Sequence, residues 1–489
     1  MSKKINSKSL LTTIYVFIML AVFPLATNGN YFDILDVKWM FAVIPTCLYL
    51  IATLIIRFVG KNNLSTNTSD YYKFFWISTM LFIAGTVIGT LFCSNPLISF
   101  WGITGRYLGI MVIVPLVIAM LQIAKRYKQN RIVIYGTAIA ALIIFLIQIF
   151  NEFKIDPFGM WEGIQRFEKE LFASTIGNLN FNATYNCMVL SIALATLMNS
   201  SSDKVRILKS VFVAIGFAAS ICIRSNGVFL GLGVAVIIAL IYTVKHTEKI
   251  VNFAYMIASF ATGSLLIAIM YKVAAKSFKI KSLSALAIDT KIIILEFVLV
   301  VVLYLVSTKF EEKTNRIILL TLSIVSIAVL CKVVFFGNAA ILDYSEIDDH
   351  TMHNRVYVWR KTIEYIKTFG PIQFLFGCGI NDFQFGFVEF CGAEMQQLGY
   401  KTFIDAHSEF LQAFASTGLI GFVGYLGMLV TTIIQSFRDR ANENTLVTIS
   451  FITAFMAQGL VYGPQITTTP LLFIMLGVFW SKSFKENEL

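Results

Sequence analysis

Apolar runs of membrane-crossing length recur along this chain, separated by short polar breaks. A helix that spans the hydrocarbon core needs about 20 predominantly apolar residues, and we read fourteen runs of that kind between Leu10 and Trp480. With no water to bond, each backbone group inside a bilayer must be paired within its own segment, so such runs are expected to be helical. Composition agrees: 57% of residues are hydrophobic, 44 are phenylalanine, 14% are charged, and the mean hydropathy is +0.75. The expected fold class is an all-α polytopic membrane protein of about 12–14 transmembrane helices. Residues 1–336 hold the N-terminal helices, 337–406 form one long external loop with short amphipathic helices, and 407–489 hold the C-terminal helices. Gly463-Pro464 and Pro470 leave the last two runs open to a hairpin or re-entrant pair.

Lysine and arginine in the connections set the expected orientation, because they are retained on the cytoplasmic side. The N-terminal MSKKINSKS lies inside on that rule, as do Arg57, Lys61 and Lys73, then Lys125 to Arg131, Lys204 to Lys209, Lys309 to Arg316, and Arg438 with Arg440. The connection from Lys272 to Lys291 falls outside in this count. Either two spans are misplaced there or it is an external basic patch facing headgroups or an anionic substrate. The first run lacks an A-x-A cleavage pattern and reads as a span. The net charge of +11 is explained by this anchoring and does not call for nucleic acid. The seven cysteines show no metal-type spacing, although Cys378 and Cys391 share the outer loop and are open to a disulfide or to two free thiols. No P-loop, Rossmann glycine pattern or HExxH occurs, so no metal or cofactor is expected.

One long polar stretch, roughly Gly337 to Ala406, interrupts the apolar chain and closes on His407-Ser408. Within it, Asn354 to Phe369 places Val356, Trp359, Ile363 and Ile366 on one face, which predicts an amphipathic helix stopped by Gly370-Pro371. FGCGINDF then reads as a glycine-rich turn. Gly159 to Leu171 carries a second, shorter pattern of the same kind, expected at the membrane interface. Beyond His407, Gly418, Gly421, Gly424 and Gly427 form a small-residue stripe that admits a neighbouring helix.

The segment HSEFLQAFASTGLIG, from His407 to Gly421, resembles the O-antigen ligase and polymerase superfamily of membrane glycosyltransferases. It fits that family's pattern of His, then Asn, Ser or Gln, nine residues, Gly, two residues and a small residue. Four other stretches are similar in the same order: SNPLISFWGITGRYLG at Arg106, STIGNLNFNATY at Asn178, RSNGVFLGLG at Arg224, and RVYVWRKTI followed by FGCGINDF. The family commonly shows Ser-Arg-Gly where this chain has Arg224-Ser225-Asn226-Gly227, which leaves the register of that arginine open. The resemblance implies a metal-independent, inverting glycosyltransferase on the outer face of a bacterial cytoplasmic (inner) membrane. It implies a polyprenyl-pyrophosphate-linked oligosaccharide as donor and a separate glycan acceptor. A chain-length regulator is a possible further partner, and the bilayer itself is the medium.

The residues bear this chemistry. A pyrophosphate leaves readily only when its developing charge is stabilised, a task for the planar, permanently charged guanidinium. Arg224 at the outer end of a span and Arg355 at the start of the loop helix are the candidates, with snorkelling to headgroups as the alternative. His407 is expected as general base on the acceptor hydroxyl, or else as an interfacial histidine that orients pyrophosphate. Asp405 beside it either favours imidazolium or caps the helix. Arg106, Arg166, Arg360, Asn178 and Glu409 are expected to bind substrate, though an asparagine at a helix start is commonly a cap. Glu409 and Asp382 are the carboxylates expected to orient His407 or to hold sugar. Polymerase and ligase differ only in acceptor; AT-rich residue usage leans to polymerisation of a capsular or teichuronic-type glycan, and the short tail SKSFKENEL leans away from a protein acceptor. A flippase or other transporter is the competing class, but the loop and the absence of repeated halves speak against it.

Overall fold

The computed structural model describes residues 7–59, 70–165, 168–274, 283–331, 351–400, 402–438 and 443–481. Each of the apolar runs becomes a helix, from Ser7–Phe17 to Thr469–Phe479. Among the described residues, nine helices are long and apolar enough to cross a membrane, and shorter apolar helices cover Ser9–Leu25 and Thr469–Phe479. The protein is therefore an all-α polytopic membrane protein. The only described strands are two residues each, Phe172–Ala173 paired antiparallel with Gly177–Asn178. Lys276, Lys279, Lys281, Arg166 and most of the polar stretch before Thr351 lie outside the described residues.

The helices pack as two compact units. The first comprises residues 1–140, 348–440 and 459–489, and the second 141–347 and 441–458. In the first unit the opening helix loosens into a π turn at Ile18–Val22 and ends in a 3-10 turn, Phe23–Leu25, around Pro24. Lys38, fully buried, donates from Nζ to Phe23 O at 2.9 Å and Pro24 O at 2.8 Å at this end, as lysines near a helix C-terminus commonly do.

The glycine stripe divides into two roles. Gly424 and Gly427 press against the Asp70–Leu91 helix at Phe82 and Ser78, where an added methyl would collide, and Gly421 faces Gly85 there while Thr417 of its own helix fills the space a methyl would need. Gly418 does something else. Its φ of 64° and ψ of −172° break the Glu409–Arg438 helix, a conformation available to glycine because it lacks Cβ. The carbonyls left free at Ala415 and Ser416 accept the backbone N–H groups of Cys378 at 2.8 Å and Gly379 at 3.1 Å. The FGCGINDF turn thus docks into the break. Gly377, at φ 84°, also lies on the Ser416 backbone with no room for a side chain.

The loop helix forms as Thr351–Lys367, and Pro371 opens the next one, Pro371–Phe376. Tyr357, Val358, Cys378, Phe383, Phe387 and Cys391 make a small apolar core beneath it. Both cysteines are free thiols. Burial pushes the Cys391 thiol up to about 11, so it is held as a neutral, unreactive thiol. Gly159 to Leu171 differs from expectation: its described residues form turns and one 3-10 turn, Glu168–Leu171, instead of an amphipathic helix. Asp156 takes the N–H groups of Met160 at 3.1 Å and Trp161 at 2.7 Å, which favours a tight turn over a helix start.

The second unit centres on a polar network inside its helices. Asn182, fully buried, donates to the carbonyls of Ala173, Gly177 and Asn178, and accepts from Gln148 and Ser174 at 2.6 Å each. Asn182 is spent on holding its own chain. Replacing Gly418 by Ala should cost about 1–3 kcal/mol through backbone strain alone, lowering the melting temperature in detergent. Gly370→Ala, where an added Cβ meets nothing within 4 Å, should leave it unchanged.

Candidate functional site

His407 lies two residues before the Glu409–Arg438 helix, on a φ of 47°. That left-handed backbone is uncommon for a residue with a side chain and persists only when neighbours hold it. Asp405 supplies the hold. Its Oδ1 accepts the His407 backbone N–H at 2.9 Å and stands 2.9 Å from His407 Nδ1. Trp359, from the loop helix, donates its indole N–H to the His407 carbonyl at 3.2 Å, and the Phe403 ring meets the imidazole edge-on at 5.7 Å. Gln412 accepts the Ala406 N–H at 2.8 Å and passes its own amide to Ser416 at 2.8 Å.

The second Asp405 oxygen stands 2.6 Å from an Arg106 guanidinium nitrogen. Arg106 also donates to Gln465 Oε1 at 2.8 Å. Gln465, Arg106, Asp405 and His407 therefore form one continuous polar chain. Asp405 is buried while the His407 side chain keeps 30% exposure. Burial alone would raise the Asp405 carboxyl, but the Arg106 charge and His407 outweigh it and hold the group well below the usual carboxylate range. An ionised Asp405 facing Nδ1 fixes the tautomer: in the neutral ring Nδ1 carries the proton and Nε2 is the acceptor.

Beside this chain an open cleft is lined by Arg106, Asp405, Glu409, Gln412 and Asn381 among apolar residues. His407 does not line it directly; it adjoins through Asp405. Glu409 accepts from Tyr425 Oη at 2.8 Å. Arg355 donates to Tyr462 Oη at 2.7 Å and stacks over that ring at 4.5 Å. It stands one helical turn from Trp359, so the loop helix serves Arg355 and His407 from one face.

Other expected residues are placed elsewhere. Arg360 is exposed, 3.4 Å from Glu364 on its own helix. Asn178 is the N-cap of Leu179–Met198, accepting from Asn180 N–H at 2.9 Å. Arg224, in the second unit, ends the Asp203–Ile223 helix on a φ of 57° and pairs with Glu152 at 3.4 Å, which also accepts from Tyr271. Asp382 is occupied by Ser94 N–H and the Asn95 side chain, at 2.8 and 2.7 Å. The carboxylate that orients His407 is thus Asp405, where Glu409 or Asp382 was expected. Its signal was in the sequence: an aspartate two residues before a histidine can accept that residue's N–H, a turn that the helix-cap reading overlooked.

The stability that Asp405 contributes has a definite sign with pH. Its folded value lies below its unfolded value near 3.9, so the contribution is complete above about pH 5 and is lost as pH falls through the folded value. Asp405→Asn should lower stability at neutral pH by about 3 kcal/mol, because Arg106 then lies unpaired. The difference between wild type and variant should shrink below about pH 4; denaturant unfolding in detergent measures both.

No curated protein matches the chain. A match does come from a protein-family model, Wzy_C, described as O-Antigen ligase, over residues 277–426. That span contains Arg355, Asn381, Asp405, His407, Glu409 and the Gly418 break. Over this segment the chain is similar to the O-antigen ligase family.

Proposed function

We propose that the protein is a glycosyltransferase that extends a surface polysaccharide, moving a glycan from a polyprenyl pyrophosphate to an acceptor sugar hydroxyl. The observation that carries this reading is the Gln465, Arg106, Asp405, His407 chain, which engages the His407 ring at Nδ1 and leaves Nε2 as the ring nitrogen that Asp405 does not engage. His407 takes the proton of the attacking hydroxyl. The new bond forms at the anomeric carbon as the bond to the pyrophosphate oxygen breaks on the opposite face, and the configuration inverts. The imidazolium that results is stabilised by Asp405, as in other carboxylate-oriented bases.

Charge on the leaving pyrophosphate is assigned to Arg355. Arg355 stacks over the Tyr462 ring, and a planar guanidinium is the side chain best matched to phosphate oxygens. The reaction is placed on the external face of a bacterial cytoplasmic membrane, following the distribution of Lys and Arg along the chain. A glycan ligase that uses a different acceptor is the same chemistry with another hydroxyl.

Transfer is tested with purified protein in lipid, supplied with a polyprenyl-pyrophosphate oligosaccharide and no nucleotide. A ladder of lengthening lipid-linked chains is expected; transfer only to a second acceptor would make the protein a ligase, and no transfer would reject the reading. His407→Ala should reduce the rate by about 10²–10⁴-fold, the usual worth of a general base, while the protein stays inserted. Full activity in that variant would remove His407 from the mechanism.

A further inference from the structure

The cleft beside His407 is poorly matched to pyrophosphate. Its charged lining is one guanidinium, Arg106, against two carboxyl groups, Asp405 and Glu409. Arg106 is already engaged by Asp405 at 2.6 Å and by Gln465 at 2.8 Å. No surplus positive charge faces the space, so a phosphate anion entering it would meet carboxyl groups without a free counter-charge. An uncharged ligand that carries hydroxyls is favoured instead.

The same cleft holds a specific unspent donor. Asn381 Nδ2 is buried and has no hydrogen-bond partner among the described residues. Buried donors are normally paired, so one that is not points to a partner outside the chain. The Asn381 backbone is held at φ 61° between the docked Gly379 and the anchored Asp382. Around it, Leu108, Ile404 and Pro464 offer apolar walls suited to the C–H face of a sugar ring, while Gln412 and the carboxyl oxygens of Asp405 and Glu409 offer acceptors to its hydroxyls.

We propose that this cleft is the subsite for the acceptor sugar, an uncharged, hydroxyl-bearing ring, and that Asn381 selects it by donating from Nδ2 to a ring or hydroxyl oxygen. The inference rests on the transfer reading and adds the position of the acceptor: the nucleophile enters beside Asp405, next to the residue that orients the base. The pyrophosphate end of the donor is bound elsewhere, at Arg355.

The test uses the full chain in lipid nanodiscs and two probes, polyprenyl pyrophosphate without glycan and the repeat-unit oligosaccharide released from its lipid by mild acid. Asn381→Gly removes the amide and tolerates the positive φ; Asn381→Asp keeps the shape and removes the donor. Both should weaken the oligosaccharide about three- to tenfold, the worth of one neutral hydrogen bond, and raise the acceptor KM to match. Binding of polyprenyl pyrophosphate should change less than about twofold, whereas Arg355→Ala should show the reverse pattern. Equal losses for both probes, or unchanged oligosaccharide binding in both Asn381 variants while wild type still transfers glycan, would overturn the subsite and leave the transfer reading in place. Wild-type protein that binds neither probe and transfers nothing would overturn both.

Discussion

The break in the Glu409–Arg438 helix is the constraint on which the site depends. A helix interrupted in an apolar setting leaves carbonyls that must find donors or cost several kcal/mol each. Here Cys378 and Gly379 supply those donors from the chain's long polar connection. One exchange of two hydrogen bonds therefore joins the part of the sequence that crosses the membrane to the part that does not. Asn381 and Asp382 follow directly on the docked turn, and His407 precedes the broken helix by two residues. The site is assembled from both sides of a single backbone junction.

Electrostatics then refine what the backbone has placed. Asp405 sits between a fixed charge and a titratable ring, and it keeps its own charge because Arg106 is there. Without the arginine, burial would drive that carboxyl toward neutrality, and a neutral carboxyl orients a histidine less well. Arg106, which the sequence suggests as a substrate ligand, is held by Asp405 and Gln465. Its charge is largely consumed by the protein, and this is why the cleft beside it is close to neutral.

Much of the fold was legible, because period and length are local properties. Each apolar run became a helix, and the loop helix appeared within three residues of its expected start and two of its end. His407 and the Gly-rich turn were legible as patterns. Partnership was not: Asp405 with Arg106, Arg355 with Tyr462 and Asp382 with Asn95 join residues up to several hundred positions apart, and no periodicity encodes such pairs. Gly418 was read as one member of a packing stripe because spacing alone does not distinguish a glycine chosen for its small size from one chosen for its backbone. Gly159 to Leu171 failed for a local reason, since Asp156 diverts the N–H groups that a helix would have used.

Lys38 carries a consequence for how the first two helices meet. Its Nζ donates to carbonyls of the preceding segment, at Phe23 and Pro24. A slip of the second helix by one turn would carry that nitrogen about 5.4 Å from both acceptors. The lysine thus acts as a latch that registers one helix against the other.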